Sequence, residues 1–451
     1  MVDVMQALCV RLHLSYNQHF PMRTRLAVFL CAAAMSAVAQ QPIAFTGARV
    51  VTAAGPEIPD GVVVVRGAKI VAVGPAASVT IPSDAKRVDV SGRIVMPGIV
   101  DTHSHIGGPE GGDSSAPIQP EERILDSLNM RSATVNKARA GGVTTANVMP
   151  GSGHLMSGQT LYLKLRKGNT IDDYLIHLDD GRIAGGMKMA NGTNPRRDPP
   201  FPGTRAKAAA LVREQYLKAE EYRDKVARAG NDPTKLPPRD LSMEGLVEVL
   251  DGKRIVQFHT HRQDDIMTAI RLSKEFGFHV VLHHVSEGWM VADEIAKAGV
   301  PCSVIELDSP GGKLEAKDVR FETPAILYKA GVLVAIHTDD PITDSRLLLR
   351  SAALAIRGGL PRDEAVKALT INGAKMLALD KRVGSLEAGK DADLVVLSGD
   401  PFSVYTKVLE TWVEGNKVFD RSDPQDRLYA VGGYGASHDQ GFPDLDGEED
   451  R

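Results

Sequence analysis

In VMPGIVDTHSHIGG, residues 95–108, two histidines stand one residue apart, His103 and His105, after an apolar run and before a glycine-rich loop. Alternate residues of a strand share a face, so both imidazoles project the same way. Two imidazoles on one face are a natural pair of metal ligands. Later apolar runs end in similar residues. VQFHTHRQDD carries His259 and His261, VVLHHVSEG carries His283 and His284, and VAIHTDDP carries His337, Asp339 and Asp340. Buried polar residues need partners, and a set that recurs at strand ends points to one shared partner rather than to separate core hydrogen bonds. His261 shares a face with His259, so either could be the ligand or touch substrate. His283 should face away from His284 and pack against a helix.

Something must carry these residues to one place. From about 98 to 380, short apolar runs alternate with helical stretches such as DDIMTAIRLSKEFG and RDEAVKALTINGAKMLAL. That alternation implies parallel strands joined by crossover helices, and the length suits a (β/α)8 TIM barrel. In such a barrel the C-terminal strand ends form the active site. Residues 40–97 and 381–420 alternate apolar and polar residues between Gly, Pro and Asp turns, and are expected to form a small composite β-sandwich built from both chain ends. Residues 189–240 are long for one connection and read as an insertion near the active-site face. Residues 421–451 end in an acidic, turn-rich run and read as a flexible tail.

The bulk numbers agree with an enzyme of this size. The chain has 451 residues, 43% hydrophobic and 24% charged, ordinary for a globular protein. A formal charge of -4 and 5% aromatics argue against a nucleic-acid partner. Residues 1–39 read as an extension plus signal peptide. Translation would start at Met22, Arg23 and Arg25 form the n-region, and cleavage would follow Ala39. The apolar run is too short to span a membrane. The expectation is a secreted or periplasmic protein with no membrane association after cleavage. Of Cys9, Cys31 and Cys302 only the last would remain, so no intrachain disulfide is expected.

PGIVDTHSH, His259, His284 and the TDDP at Asp339 together resemble the amidohydrolase superfamily of metal-dependent hydrolases. GARVVTAAG, GAKIVAVG and GSLEAGKDADLVVLSGDP resemble the small β-domain of those enzymes. GGVTTANVMPGSG and GGMKMANGTNPRR are similar to the imidazolonepropionase-like and Xaa-Pro dipeptidase-like branch. The resemblance implies His103, His105, His259, His284 and Asp339 as metal ligands. It also implies Lys188 as a carboxylated bridge between two cations, with a single cation if Lys188 is not a ligand. Zinc suits this set.

The implied activity is hydrolysis of an amide or dipeptide C–N bond by a metal-activated hydroxide, with Asp339 as general base. His261 or His154, in GSGHLMSGQ, could stabilise the oxyanion. His154 and Arg262 are candidate substrate contacts; the substrate would be a small molecule or short peptide. A homo-oligomer is a default expectation. One alternative is a mononuclear hydrolase of a cyclic amide or amidine, imidazolonepropionase-like or a deaminase. Related deaminases often place a glutamate where this chain has Arg262, which disfavours that branch. The other alternative, a non-catalytic binding protein on the same barrel, would be marked by lost ligands, and all are present.

Overall fold

A computed structural model describes residues 41–109, 112–306 and 313–432. The leader reading, Cys9 and Cys31 lie outside the described residues. Among the described residues no helix is long and apolar enough to cross a membrane, and Cys302 is a free, buried thiol.

Both chain ends contribute to one eight-stranded sheet. Its strands are β1 (Ile43–Val50), β2 (Ile58–Arg66), β3 (Lys69–Pro75), β4 (Lys86–Asp89) and β5 (Ile94–Pro97). Sequence-distant β15 (Leu394–Leu397), β16 (Val408–Val413) and β17 (Asn416–Asp420) complete it. The order is β17-β16-β15-β5-β1-β2-β3, with β4 beside β1. β5 and β15 join the two ends in antiparallel register, Pro97 opposite Leu394. Burial drives the union: Val63, Val65, Val95, Leu394 and Trp412 share one core. The Phe45 and Trp412 rings meet edge to face at 5.1 Å.

The intervening chain has a TIM-barrel-like α/β arrangement. β10 (Met187–Ala190), β11 (Val256–Thr260), β12 (Val280–His284), β13 (Cys302–Ile305) and β14 (Val334–His337) run parallel in that order. β6 (Ile99–Ser104) pairs in parallel with β7 (Val143–Val148). β6 also meets the end of β14: Asp339 N donates to His103 O at 2.9 Å and His105 N to Asp340 O at 3.1 Å. Between β7 and β10 the strand direction reverses, unlike a uniform set of parallel strands. β8 (Met156–Gln159) is antiparallel to β10, and β9 (Leu161–Lys164) is antiparallel to β7.

Period-two alternation then sorts the side chains. Phe258, Leu282 and Val304 face outward into a core with Ile266, Ile270, Ile295 and Leu327 of the surrounding helices. Gln257 and His283 lie on the other face and bond each other.

The helices are α1 (Ala133–Ala140), α2 (Arg205–Ala229), α3 (Leu241–Leu250), α4 (Gln263–Phe276), α5 (Ala292–Ala298), α6 (Thr323–Lys329), α7 (Leu348–Arg357), α8 (Arg362–Leu369), α9 (Ile371–Met376) and α10 (Pro424–Val431). About half of the long connection at 189–240 is α2, capped by Thr204, whose side chain accepts from Lys207 N. Ala208, Val212, Tyr216 and Ala219 form its buried stripe. Tyr216 stacks on Phe276 and Phe278, both at 5.0 Å, so α2 belongs to the main core.

The expected flexible tail from 421 is corrected over its described part, to residue 432. Asp423 accepts from Gln425 N and Asp426 N, Pro424 occupies the first turn, and α10 packs against α1 and β17.

Candidate metal centre

The strand-end histidines converge. His103 is the penultimate residue of β6, His284 ends β12 and His337 ends β14, and all are fully buried. His259 on β11 and His261 just beyond it are buried too, and His105 is half-buried. Asp339 Oδ1 lies 3.2 Å from His103 Nε2 and 3.0 Å from His105 Nε2. Lys188, fully buried on β10, places Nζ 3.1 Å from His103 Nε2 and 3.1 Å from Met149 Sδ. Among the described residues three trios present ligand atoms close enough to share an ion: His103, His105 and Asp339; His259, His261 and His284; and His103, His284 and His337.

Backbone geometry explains the convergence at β12. His284 and Val285 have φ of 70° and 45°, and Asp339 has φ of 53°. These left-handed conformations are uncommon for such residues and re-aim the side chains that carry them.

They also correct the expectation for His283. Strand alternation puts His283 on the inward face with Val281, which packs against Ala335 and Met376. His283 therefore lies 4.9 Å ring to ring from His103, and its Nε2 is 2.8 Å from Gln257 Oε1. His284 is the residue that alternation would send outward, and its left-handed backbone turns it back into the cluster.

The electrostatics favour ligation. Burial holds His103, His259, His283 and His284 well below the ordinary imidazole range. Burial also pushes His261 and His337 down to about 3. These rings are therefore neutral, with a lone pair to offer. For Asp339, burial pushes the carboxyl up, but His105, His337 and Lys188 outweigh it and hold the group well below the usual carboxylate range.

Among the described residues several buried ring nitrogens have no hydrogen-bond partner: His103 Nδ1, both nitrogens of His259, His261 Nε2 and His284 Nε2. Buried nitrogens are rarely left so. His105 Nδ1 donates to Met149 O at 2.7 Å, and its Nε2 lies 3.0 Å from Asp339 Oδ1. The residues present fit a metal.

Other sequence candidates fall outside the trios. His154 is buried on the loop after β7, with Nε2 2.9 Å from Asp113 O and its ring against Phe201 at 5.2 Å. Arg262 pairs with Asp264 at 3.0 and 2.9 Å, with 41% of its side chain exposed. His261 and His259 join the same trio, so the choice between them does not arise at the level of position. Sequence reasoning placed His337 at a strand end but left it out of the ligand set. It missed Ser286, whose Oγ is 2.8 Å from His261 Nδ1. Only tertiary contact reveals such partners.

Clustered neutral imidazoles and an ionised aspartate at the strand ends of a TIM-barrel-like fold define a metal-dependent hydrolase class. The chain belongs to the amidohydrolase family: a family model of that description matches residues 170–419. The chain is 35% identical to an amidohydrolase of known structure from Thermotoga maritima MSB8. That match has a TM-score of 0.78 and covers 84% of this chain and all of that one (100%). It is 27% identical to an imidazolonepropionase of Rhizobium rhizogenes over 76% of this chain and 88% of the relative. It is 28% identical to amidohydrolase tasK of Hapsidospora irregularis over 75% of this chain, but spans only 38% of that protein. The chain is thus a hydrolase of C–N bonds in a metal-dependent superfamily.

Proposed function

We propose that this protein is a binuclear zinc hydrolase of an amide or dipeptide bond. The observation that carries the reading is a pair of ligand trios with no residue in common: His103, His105 and Asp339, and His259, His261 and His284. Lys188 lies beside the first trio, in reach of a bridging role once carboxylated. The scaffold is read as a closed (β/α)8 barrel with an appended β-sandwich, supported by the β6 to β14 contacts. The leader-like residues 22–39 support export, and N-terminal sequencing of the mature protein tests it: a start at Gln40 is expected.

A bound metal supplies Lewis acidity to a water molecule and to the scissile carbonyl. The chain's own residues do the rest. Asp339, ionised and placed by His105, accepts the proton of the attacking water and returns it to the leaving nitrogen. Met149 O fixes the His105 tautomer. Ser286 orients the His261 ring, leaving its Nε2 for the site.

A second reading follows from the imidazolonepropionase similarity: one metal and a cyclic amide substrate. Metal content separates the two. Elemental mass spectrometry on protein purified without added metal should give close to two zinc equivalents per chain, with turnover of dipeptides or N-acyl amino acids. Close to one equivalent, with turnover only of cyclic amides, overturns the binuclear reading. No metal, and none recovered on titration, overturns both.

A further inference from the structure

His337 enters neither of the two separate trios, yet it lies between them. Its trio shares His103 with one and His284 with the other. We propose that His337 is a further metal ligand joining the two halves of the centre, with Ser303 and Thr102 as its positioning residues. The proposal rests on the reading of the centre as a metal site.

One end of the His337 ring is tied to the barrel floor. Nδ1 is 2.7 Å from Ser303 Oγ, which is itself 2.5 Å from Thr102 Oγ1. The three residues come from β14, β13 and β6, and all are fully buried. The other end faces the cluster. Nε2 is 3.3 Å from His284 Nδ1, and the ring stacks on His103 at 4.9 Å with 25° between planes. His284 Nδ1 in turn is 3.9 Å from Asp339 Oδ2.

Below this layer the interior turns apolar, with Val281, Ala335 and Met376. The far nitrogen of His337 meets His284 Nδ1 at 3.3 Å, close enough for the two rings to share one ion in place of a hydrogen bond. When Nδ1–H donates to Ser303 Oγ and Ser303 donates to Thr102, Nε2 is left with its lone pair toward His284 Nδ1. Metal-binding histidines are commonly held this way, by a hydrogen bond at the nitrogen remote from the ion. The opposite orientation of the chain would put a proton on Nε2 and make His337 a hydrogen-bond donor to His284, with no place in ligation.

His337→Asn distinguishes the two. Its amide can keep the Ser303 contact and lacks the ring nitrogen that faces the cluster. The readouts are zinc retained after dialysis against graded chelator and the visible spectrum of protein loaded with one and two equivalents of cobalt(II). Zinc retention should weaken at least tenfold in H337N and the cobalt bands should shift. Ser303→Ala should weaken retention by about 10–100-fold, the range for residues that orient a ligand. Wild-type zinc retention together with an unchanged cobalt spectrum in H337N overturns the proposal. Should H337N fail to fold, S303A decides by the same criteria. Wild-type protein that takes up no zinc overturns the metal reading itself, which separates that failure from this one.

Discussion

At the residue scale, the centre is built from rings that burial keeps neutral and one carboxylate that its neighbours keep ionised. Asp339→Asn removes the proposed proton carrier and should lower kcat by about 10²–10⁴-fold, the usual range for a general acid–base group. Steady-state kinetics on a turned-over amide checks it, and activity within tenfold of wild type sinks the assignment.

The same burial makes the metal-free protein acid-sensitive. His261 and His337 bind protons near pH 3 when folded, and at about 6.5 when unfolded. Between those values the unfolded chain binds more protons, so their stabilising share is whole above about 6.5 and drains away as pH falls toward 3. Each ring contributes up to about 1.4 kcal/mol per pH unit. His103, His259, His283 and His284 act in the same direction. Asp101, pushed by burial up to about 7, opposes them: its share is lost as pH rises through 7. Burial also raises Glu306, Asp265, Asp340 and Asp393, which act with Asp101, so six imidazoles against five carboxyls leave a net loss in acid. The urea midpoint of chelator-treated protein should fall between pH 7.5 and 5, and a flat profile contradicts the argument.

At the element scale, the strands must end in register for the ligands to meet. β10 shows how tightly that is set. At Gly186, just before it, a Cβ would lie 2.5 Å from Ile255 O and 2.9 Å from Gln257 Cγ. The Ile255 contact is backbone, so relief requires β10 or β11 to shift. Gly186→Ala should therefore cost about 1–3 kcal/mol, as overpacking does. It should also lower metal retention, because Lys188 stands two residues on. Thermal unfolding and metal content measured together check both halves. Some element-scale features were legible in the sequence. Asp423 and Pro424 signal a helix start ahead of α10, though the acidic run beyond drew attention to a tail. The reversal at β8 and β9 was not legible, since four-residue stretches such as MSGQ and LYLK have no direction of their own.

Across the whole molecule, Lys164 ties the barrel-like part to the composite sheet. Its buried Nζ lies 2.5 Å from Asp393 and 2.9 Å from Asp391, just ahead of β15, and 3.9 Å from Glu414 beyond β16. Arg166 reinforces the join with Glu414 at 2.6 Å. Removing one partner of a buried ion cluster strands the others, so Lys164→Met should destabilise by about 3–5 kcal/mol. Urea denaturation tests this, and a loss under 1 kcal/mol would show that the carboxylates find other partners.

The residues themselves carried much of this. His103, His105, His259, His284 and Asp339 were legible because each closes an apolar run, and a strand's period is short enough to read in a few residues. Tertiary structure alone decided which nitrogens meet. His283 faces inward by strand alternation, and His284 joins it because left-handed backbone at the strand end overrides that alternation. His337 gained its hydroxyl partners from β13 and β6, strands far apart in the sequence. Sequence periodicity is a local property, whereas ligand geometry is fixed by contacts between residues as much as 234 positions apart, such as His105 and Asp339.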